Sequence, residues 1–347
     1  GGVINRITKQ PQLNPFTSAR LIMSDASSYR LEVDNTGPIP VLDNRTLLYR
    51  LNGIWEDGET WFGQKKKEKA IAPSLTWNIS RNTKIIFEYF YDWRETQASW
   101  ETPVHAGDPK GMVVGNGTYR ETQRKIAWVM PGDFRHNTRQ VGSYDLRHIF
   151  SDKLQFRSQF QWVDKKQDNR ETQAMSDALT ILADTALMPA RFRYLPRDTK
   201  NFRTRNEVIW QPEFLGMKHR ILAGHAWVEQ YDHDVQYLSS RNNGGISATN
   251  LAGDGKLTDA QAGALYNVYP TLTYAQFLAN PNLAGYHTAL MMPFNLFDRG
   301  AEVVPASRPP LYLNTDTKTY TATQDIYAND VFSVFKDRVF LTGGVRY

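Results

Sequence analysis

Three small groups of residues in this sequence have types and spacings suited to chemistry, and the first imitates a calcium-binding loop. Residues 250–261 (NLAGDGKLTDAQ) place Gly255 at the position of the sharp turn. Ala252 and Gln261, however, stand where such a loop needs an oxygen ligand and its bidentate Glu. The loss of this ligand charge favours a turn leading into a capped helix over a calcium site.

The second group, residues 231–234 (YDHD), places His233 between Asp232 and Asp234. Successive side chains of an extended segment point to opposite faces, so only the two aspartates could converge on one ion. Two carboxylates fall short of the four ligands of a typical structural zinc site. The pattern therefore predicts no metal site here.

The third group consists of solitary histidines that could meet acidic and serine side chains as in a protease or lipase. They are His105, His136 and His148. Nothing in their spacing supports that arrangement, and the sequence has no nucleophile elbow, phosphate loop or two-histidine metal motif. It also has no cysteine, which excludes a thiolate nucleophile. We predict that the chain is not an enzyme and holds no cofactor.

Composition excludes a bundle of membrane helices. The 347 residues are 41% hydrophobic with a mean hydropathy of -0.54. No window of about 18 apolar, uncharged residues occurs, and the nearest, residues 178–190, contains Asp184.

The net charge of +5 is compatible with nucleic acid, anionic lipid or an anionic ligand as partner. The basic residues are spread along the chain, and their one cluster lacks the aromatic neighbours of a single-strand nucleic-acid site. We therefore predict no nucleic-acid partner. That cluster, Lys65, Lys66 and Lys67, leaves two interpretations open, a solvated loop and a contact with the phosphates of lipopolysaccharide.

The stretch from residue 82 to residue 94 alternates between an apolar and a charged face, as a strand between lipid and water would. The charged face carries Lys84, Glu88, Asp92 and Arg94. The apolar face carries Ile85, Phe87, Tyr89, Tyr91 and Trp93. Its last three rings are typical of a membrane interface, where the ring is buried and its polar tip is wet. We predict that Tyr89, Tyr91 and Trp93 belong to an interfacial girdle.

Similar alternation predicts about eleven strands. They are residues 18–23, 28–35, 45–56, 67–78, 82–94, 138–150, 154–163, 202–210, 218–231, 320–335 and 339–347. Residues 1–11 read as a further short strand, and Pro73 predicts a local irregularity. The first of three long loops follows residue 94, and the other two occupy about 165–200 and 232–318. Short helices are predicted at 176–183, 258–266 and 271–278.

Tight and long connections alternate along these strands. Outer-membrane barrels have this asymmetry, with short periplasmic turns and long extracellular loops. The fold class predicted is an all-β, antiparallel, up-and-down transmembrane barrel. Because single-chain bacterial barrels have even strand numbers, eleven strands predict an incomplete one.

Short motifs in a fixed order resemble TonB-dependent outer-membrane receptors. Residues 1–5 (GGVIN), with Thr8, Lys9 and Pro11, are similar to the end of that family's plug domain. The others are residues 36–38 (TGP), 49–53 (YRLNG), 72–77 (APSLTW) and 337–347 (DRVFLTGGVRY). The PSLTW element is most similar to the ferric-siderophore branch.

The resemblance implies a barrel of 22 strands filled by a plug, which takes up a ferric siderophore or similar scarce ligand across the outer membrane of a Gram-negative-type bacterium, with energy from TonB. It implies that residues 1–11 end the plug and that residues 12–347 form the N-terminal half of the barrel, about 11 of the 22 strands. The TonB box would precede residue 1. Outer-membrane lipid would surround the wall.

The resemblance also implies a ligand site at the outward mouth, built from aromatic and basic loop residues. The candidates by position are Trp100, Tyr119, Tyr237 and Arg241. A passive porin-like channel remains the alternative function. A soluble β-sheet binding protein remains only if the aromatic faces are buried between sheets.

Overall fold

The computed structural model describes the wall-forming parts of the chain. These are residues 8–24, 27–40, 46–59, 64–97, 111–113, 116–121, 132–174, 180–181, 186–188, 190–214, 216–238, 294–295, 312–334 and 338–347. Within these ranges the regular structure is entirely β, and no helix is present. No helix in this part of the chain has the length and apolar character needed to cross a bilayer.

Eleven long strands form one antiparallel sheet in chain order, and a two-residue strand, Glu213–Phe214, pairs with the ninth as the twelfth member. The long strands are β1 (Phe16–Met23), β2 (Tyr29–Pro38), β3 (Leu47–Glu59), β4 (Lys65–Asn78), β5 (Thr83–Thr96), β6 (Phe134–Ser151), β7 (Leu154–Ala174), β8 (Ala190–Trp210), β9 (Met217–Leu238), β10 (Tyr312–Val334) and β11 (Val339–Arg346). Every strand predicted between residues 18 and 347 is present.

The sheet is an up-and-down meander that does not close. Each strand pairs with its chain neighbours, and among the described residues β1 pairs only with β2 and β11 only with β10. The predicted fold class, an incomplete barrel wall, is confirmed.

The two faces of the sheet have opposite chemistry. The outer face presents large apolar side chains to the surroundings, among them Leu31, Leu51, Ile71, Phe87, Phe202, Val208 and Ile326. The inner face carries charged side chains that pair across strands, as in Asp34–Arg50, Glu56–Lys66, Glu68–Arg94 and Asp145–Arg157. A wall between lipid and an aqueous interior requires this division.

The connections define two ends of the wall. At the short-turn end lie residues 39–46, 79–82, 152–153, 211–216 and 335–338, and at the long-loop end lie 24–28, 60–64, 97–133, 175–189 and 239–311. Rings mark the edge of the apolar band near the long-loop end, where Tyr231 pairs with Tyr320. Beyond them His233 and Lys318 are paired on the same face, so that face is polar there.

Two predicted loop boundaries are wrong. Strands β7 and β8 continue as a paired hairpin up to Ala174 and Ala190, so most of residues 165–200 is strand. Likewise β9 continues to Leu238, and β10 already begins at Tyr312, so both strands extend into the predicted loop 232–318. Above the lipid both faces of a strand meet water, so the alternation that marks a strand in sequence is lost.

Three further local predictions have different outcomes. Residues 8–15 carry no strand, which corrects part of the strand predicted for 1–11. The helix predicted at 176–183 is wrong, because Thr180–Ile181 pairs with Ala186–Met188 as strand. The predicted helices at 258–266 and 271–278 lie outside the described residues.

Pro73 does produce the predicted irregularity without a chain break. It keeps its pairing with Leu51 on β3. On the β5 side Ile71 pairs with Tyr91 and Ser74 pairs with Glu88, whereas Ala72 and Pro73 between them have no partner. The pairing register is the same before and after this gap. The missing N–H donor accounts for the gap.

Candidate functional site

Residues 8–12 cross the inner face of the wall and are bound to it. Lys9 Nζ lies 2.9 Å from Asp34 Oδ2 on β2. The carbonyl of Gln10 accepts a bond of 2.9 Å from Arg50 Nη1 on β3. At the far side, the Thr8 hydroxyl donates to Glu88 on β5. The segment therefore spans from β2 to β5 through the interior of the wall.

The end of this segment nearest β1 is packed against Thr36 and Gly37. The amide of Gln12 donates to Thr36 Oγ1 at 2.9 Å, and that hydroxyl donates onward to the Tyr49 carbonyl at 2.8 Å. Pro15 lies so close to Gly37 that a Cβ there would stand 3.0 Å from the proline Cβ. A side chain at position 37 would therefore require Pro15 to shift by a few tenths of an ångström.

The centre of the attachment is a two-pronged ion pair between Arg50 and Asp34. Nε and Nη2 of Arg50 donate to the two oxygens of Asp34 at 2.9 and 2.8 Å. The Arg50 side chain is only 8% exposed. One guanidinium thus joins two wall strands and the interior segment, and its planar fork suits this bidentate geometry.

Two hollows lie on the inner face, on either side of Thr8. The upper one, about 650 Å³, is lined by β1 to β7 and includes Ser18 and Asn52. The lower one, about 480 Å³, lies nearer the short-turn end and contains four arginines, Arg147, Arg157, Arg203 and Arg205. The interior is thus divided into a mixed upper part and a basic lower part.

At the long-loop end the inner face of the tall strands holds a buried carboxylate. Glu171 is 2% exposed and forms ion pairs with Arg135 and Arg193 on the flanking strands. The adjacent amide of Thr172 donates to Asp133 at 3.1 Å. This network fixes the heights of β6, β7 and β8 relative to one another.

Arg197 and Asp232 form a further pair just beyond the Tyr231–Tyr320 pair. Arg197 Nε donates to Asp232 Oδ1 at 2.9 Å, and Thr199 donates to the same oxygen at 2.9 Å. These bonds, and chiefly the one from Arg197, hold the pKa of Asp232 below its ordinary value. Arg197 Nη2 also donates to Oδ2, so both oxygens of this carboxylate already accept hydrogen bonds.

The histidines of the described residues are also engaged and do not converge. His233 Nε2 lies 2.8 Å from Asp316. His136 packs edge-on against Trp93 near the long-loop end, whereas His148 bonds the Thr83 hydroxyl at 2.7 Å near the short-turn end. His105 and residues 250–261 lie outside the described residues. Within the described part, no group of three or more His, Asp or Glu could hold a metal.

Two of the four candidate ligand residues, Tyr119 and Tyr237, lie within the described structure. Tyr119 is exposed in a small hairpin formed by Gly111–Val113 and Tyr119–Glu121. Tyr237 stacks on Tyr194 across β8 and β9, with ring centroids 5.7 Å apart. Trp100 and Arg241 lie outside the described residues. The ligand role of all four stays a prediction.

Tyr237 belongs to a row across four strands that the sequence did not reveal. The guanidinium of Arg170 lies 5.6 Å from the Phe134 ring and 5.0 Å from the Tyr194 ring. By strand alternation, Tyr194 shares the face of Phe202. The row therefore lies on the outer face, beyond the apolar band. Its members are distant in sequence, so only the strand register could have identified it.

The three predicted girdle residues lie on the outer face toward the long-loop end. Tyr89 is exposed, and its hydroxyl donates to Gln140 on β6 at 3.0 Å. Tyr91 is half-buried. The ammonium of Lys69 lies over the Trp93 ring, 5.5 Å from the ring centroid. Their contact with lipid stays a prediction.

The lysine cluster divides between the two faces of β4. Lys66 points inward and bonds Glu56 at 2.8 Å, with Glu68 at 3.4 Å. Lys65 and Lys67 lie on the outer face, where the register sets them opposite Glu59 and Asp57. The predicted lipopolysaccharide contact is untested, and the acidic partners reduce the positive charge available for it.

Comparisons with known proteins place this wall among outer-membrane receptors. The chain superposes on the ferric-catecholate import receptor Fiu from E. coli with a TM-score of 0.69 at 15% identity, covering 98% of this chain and 45% of Fiu. For the siderophore receptor PiuA from Acinetobacter baumannii the TM-score is 0.67 at 15% identity, with 98% and 43% covered. The fold is therefore that of a wall segment of an outer-membrane receptor barrel.

Curated relatives point to the same branch. The ferrioxamine receptor of Yersinia enterocolitica is 26% identical over 162 residues, which cover 45% of this chain and 21% of that relative. The metal-pseudopaline receptor CntO of Pseudomonas aeruginosa is 22% identical over 242 residues, covering 69% and 32%. No protein-family model matches the chain. The matched region thus spans between a fifth and a third of these relatives.

Fold and relatives together confirm the resemblance to TonB-dependent receptors of the siderophore branch. They also confirm the outer-membrane location predicted from the sequence. The relatives are receptors rather than enzymes.

Proposed function

We propose that the whole protein is an outer-membrane receptor that takes up a ferric siderophore or a similar metal chelate, with energy delivered by TonB. The observation that carries this proposal is the fixation of residues 8–12 across the inner face, through Asp34, Arg50 and Glu88. A passive pore needs an open interior, whereas a segment bound through the interior suits a filled barrel. Residues 1–11 then end a plug, and residues 12–347 form the N-terminal half of its barrel.

The relatives support a chelate as the ligand, because their names identify ferrioxamine and metal–pseudopaline receptors. We place chelate binding at the long-loop end, with Trp100, Tyr119, Tyr237 and Arg241 as candidates. Rings and guanidinium groups can stack on and neutralise an anionic chelate. The protein acts as a transporter, with no catalytic step and no resident cofactor.

Uptake by the full-length receptor tests the function. Cells lacking their own siderophore receptors would express it in TonB-positive and TonB-negative backgrounds and receive radioactive iron as ferrioxamine B or ferric citrate, or radioactive metal as the pseudopaline complex. We expect at least one chelate to bind in both backgrounds and to accumulate only in the TonB-positive one. Equal accumulation without TonB would establish the passive pore instead.

Alanine substitution of the four candidates tests the place of binding. Each should weaken chelate binding by about tenfold, since a good stacking or ionic contact contributes on the order of 1–2 kcal/mol. Arg81→Ala, in the exposed turn at the opposite end of the wall, is the control for Arg241→Ala. If the control and the four variants bind alike, the site lies elsewhere.

A further inference from the structure

One row of paired residues on the outer face changes character along the wall. From β3 to β6 the row is apolar and consists of Leu47, Trp77, Ile85 and Leu146. The register continues it through Ser158 on β7 to Asn206 on β8 and His225 on β9. Ser158 is buried, and its hydroxyl lies 3.3 Å from the Tyr144 hydroxyl, so the wall itself satisfies it. The outward polar groups of the row are therefore those on β8 and β9.

Two neighbouring residues complete a polar strip, which consists of Thr204, Asn206, His225 and Gln324. Thr204 is the next outward residue above Asn206, and Gln324 on β10 pairs with Trp227, the next outward residue above His225. Gln324 Nε2 lies 3.1 Å from His225 Nε2. The side chains of Thr204 and Asn206 form no hydrogen bond within the described residues, and the Gln324 amide oxygen has no partner there either.

The polar strip lies within the apolar band rather than beyond it. On β8 the exposed ring of Phe202 lies above it, and the exposed side chains of Val208 and Trp210 lie below it. On β10 it is likewise flanked by exposed Tyr320 above and exposed Ile326 below. Lipid tails offer no hydrogen-bond donors or acceptors, so polar side chains in this band are costly unless another molecule satisfies them.

The outward side chains beside the polar strip are small. Ala223 on β9 and Ala322 on β10 are the next outward residues along their strands, and both are exposed. On β3 to β5, by contrast, large side chains such as Leu51, Ile71 and Phe87 occupy the outer face. Small residues let two protein surfaces approach closely within a membrane, and polar side chains there bond across the contact. Both features fit a protein neighbour rather than lipid.

We propose that the polar strip and the alanines beside it form an interface within the membrane with a second copy of the receptor. Its amide, imidazole and hydroxyl groups can both donate and accept hydrogen bonds. A two-fold axis places the same patch opposite itself, so the donors of one strip meet the acceptors of the other. The interface uses the outer face alone, whatever fills the interior, and it does not rest on the proposed uptake function.

Two phenylalanines provide a matched pair for the test. Phe202 on β8 and Phe87 on β5 are 40% and 41% exposed on the outer face. In the full-length receptor, photoreactive p-benzoylphenylalanine would replace one or the other, and intact cells expressing the receptor with two different epitope tags would be irradiated. We expect position 202 to yield a product of twice the receptor's mass that carries both tags, and position 87 to yield none.

Substitutions in the polar strip test whether it holds the two copies together. Asn206→Leu combined with His225→Leu and Gln324→Leu should lower the yield of the doubly tagged product by about tenfold, since it removes the hydrogen bonds across the contact. Asn206→Gln alone keeps an amide and should retain most of the yield. The fraction of receptor that resists SDS before heating would measure folding, and each yield would be normalised to it.

Absence of a product at position 202, or a product that never carries both tags, would overturn the proposal. Equal yields at positions 202 and 87 would do the same, because contact would then be general to the outer face. A normalised yield that the three leucines leave unchanged would also overturn it. None of these readings requires chelate binding or uptake, so the outcome is separate from that of the proposed function.

Discussion

The ring of Tyr327 on β10 lies directly over the backbone of Gly224 on β9. A Cβ at position 224 would stand 2.5 Å from the ring Cζ. The hydroxyl continues past the glycine to Glu207 on β8, with an oxygen–oxygen distance of 2.6 Å. The Tyr327 side chain thereby crosses β9 and connects β10 with β8.

Gly224→Ala should destabilise the receptor by about 1–3 kcal/mol, because overpacking displaces the tyrosine ring and breaks its bond to Glu207. Unfolding in urea from lipid vesicles would measure this change. Gly53→Ala is the matched control, since the nearest atom to a Cβ there is 4.0 Å away. Equal losses in the two variants would contradict the close packing at position 224.

Arg50→Leu should destabilise the receptor by about 3 kcal/mol, because it leaves the carboxylate of Asp34 largely buried without its main partner. Arg50→Leu combined with Asp34→Asn should recover part of the loss. Lys9→Met removes the other ion pair of Asp34, but this lysine is mostly exposed, so we expect a cost below about 1 kcal/mol. The same unfolding assay would be used. A double variant no more stable than Arg50→Leu would show that the pair is not the source of the stability.

Phe87→Arg should impair insertion by about 2–4 kcal/mol, since it places a cation on the lipid-facing side of β5. Phe87 is 41% exposed on the outer face. Glu88→Gln, the next residue on the inner face, should be tolerated, because the amide oxygen can still accept one of the Thr8 and Ser143 hydroxyls while the amide NH2 donates to the oxygen of the other. The yield of folded receptor in vesicles would be compared. Similar yields for the two variants would mean that the faces are assigned wrongly.

The Asp232–Arg197 pair predicts a loss of stability in acid. The folded-state pKa of Asp232 lies below its ordinary value of 3.8, so the pair stabilises the fold above that value. The contribution is lost as the pH falls below about 3.8 and through the folded-state pKa. Asp232→Asn should therefore flatten this part of the profile of Tm between pH 6 and pH 2. An unchanged acid slope in the variant would exclude this pair as the cause.

The strands inside the lipid were predictable from sequence, because there one face must be apolar and the other polar. Phe87 and Glu88 show this alternation in adjacent positions. The upper halves of β7 and β8 were not predictable, because there the outer face is polar as well and carries residues such as Arg170 and Asp198. Here pairing with the neighbouring strand, rather than a solvent boundary, determines the structure.

The interior site was the least predictable part. The roles of Arg50 and Glu171 depend on partners 16 to 40 residues away, and nothing local distinguishes these residues from other charged residues. Family resemblance predicted that residues 1–11 end a plug domain, but the path of residues 8–12 across β2 to β5 follows only from the three-dimensional contacts.

The unequal lengths of the strands give the described wall an oblique edge at the long-loop end. β3 and β4 turn over at Glu59 and Lys65, whereas β7 and β8 continue to Ala174 and Ala190. The register connects Lys66 on β4 through Thr96 and Arg135 to Asn169 on β7. The five residues of β7 beyond that level, 170–174, add about 17 Å of strand at roughly 3.3 Å per residue. Among the described strands, a bulky solute approaching from outside therefore meets a higher edge at β7 and β8 than at β3 and β4.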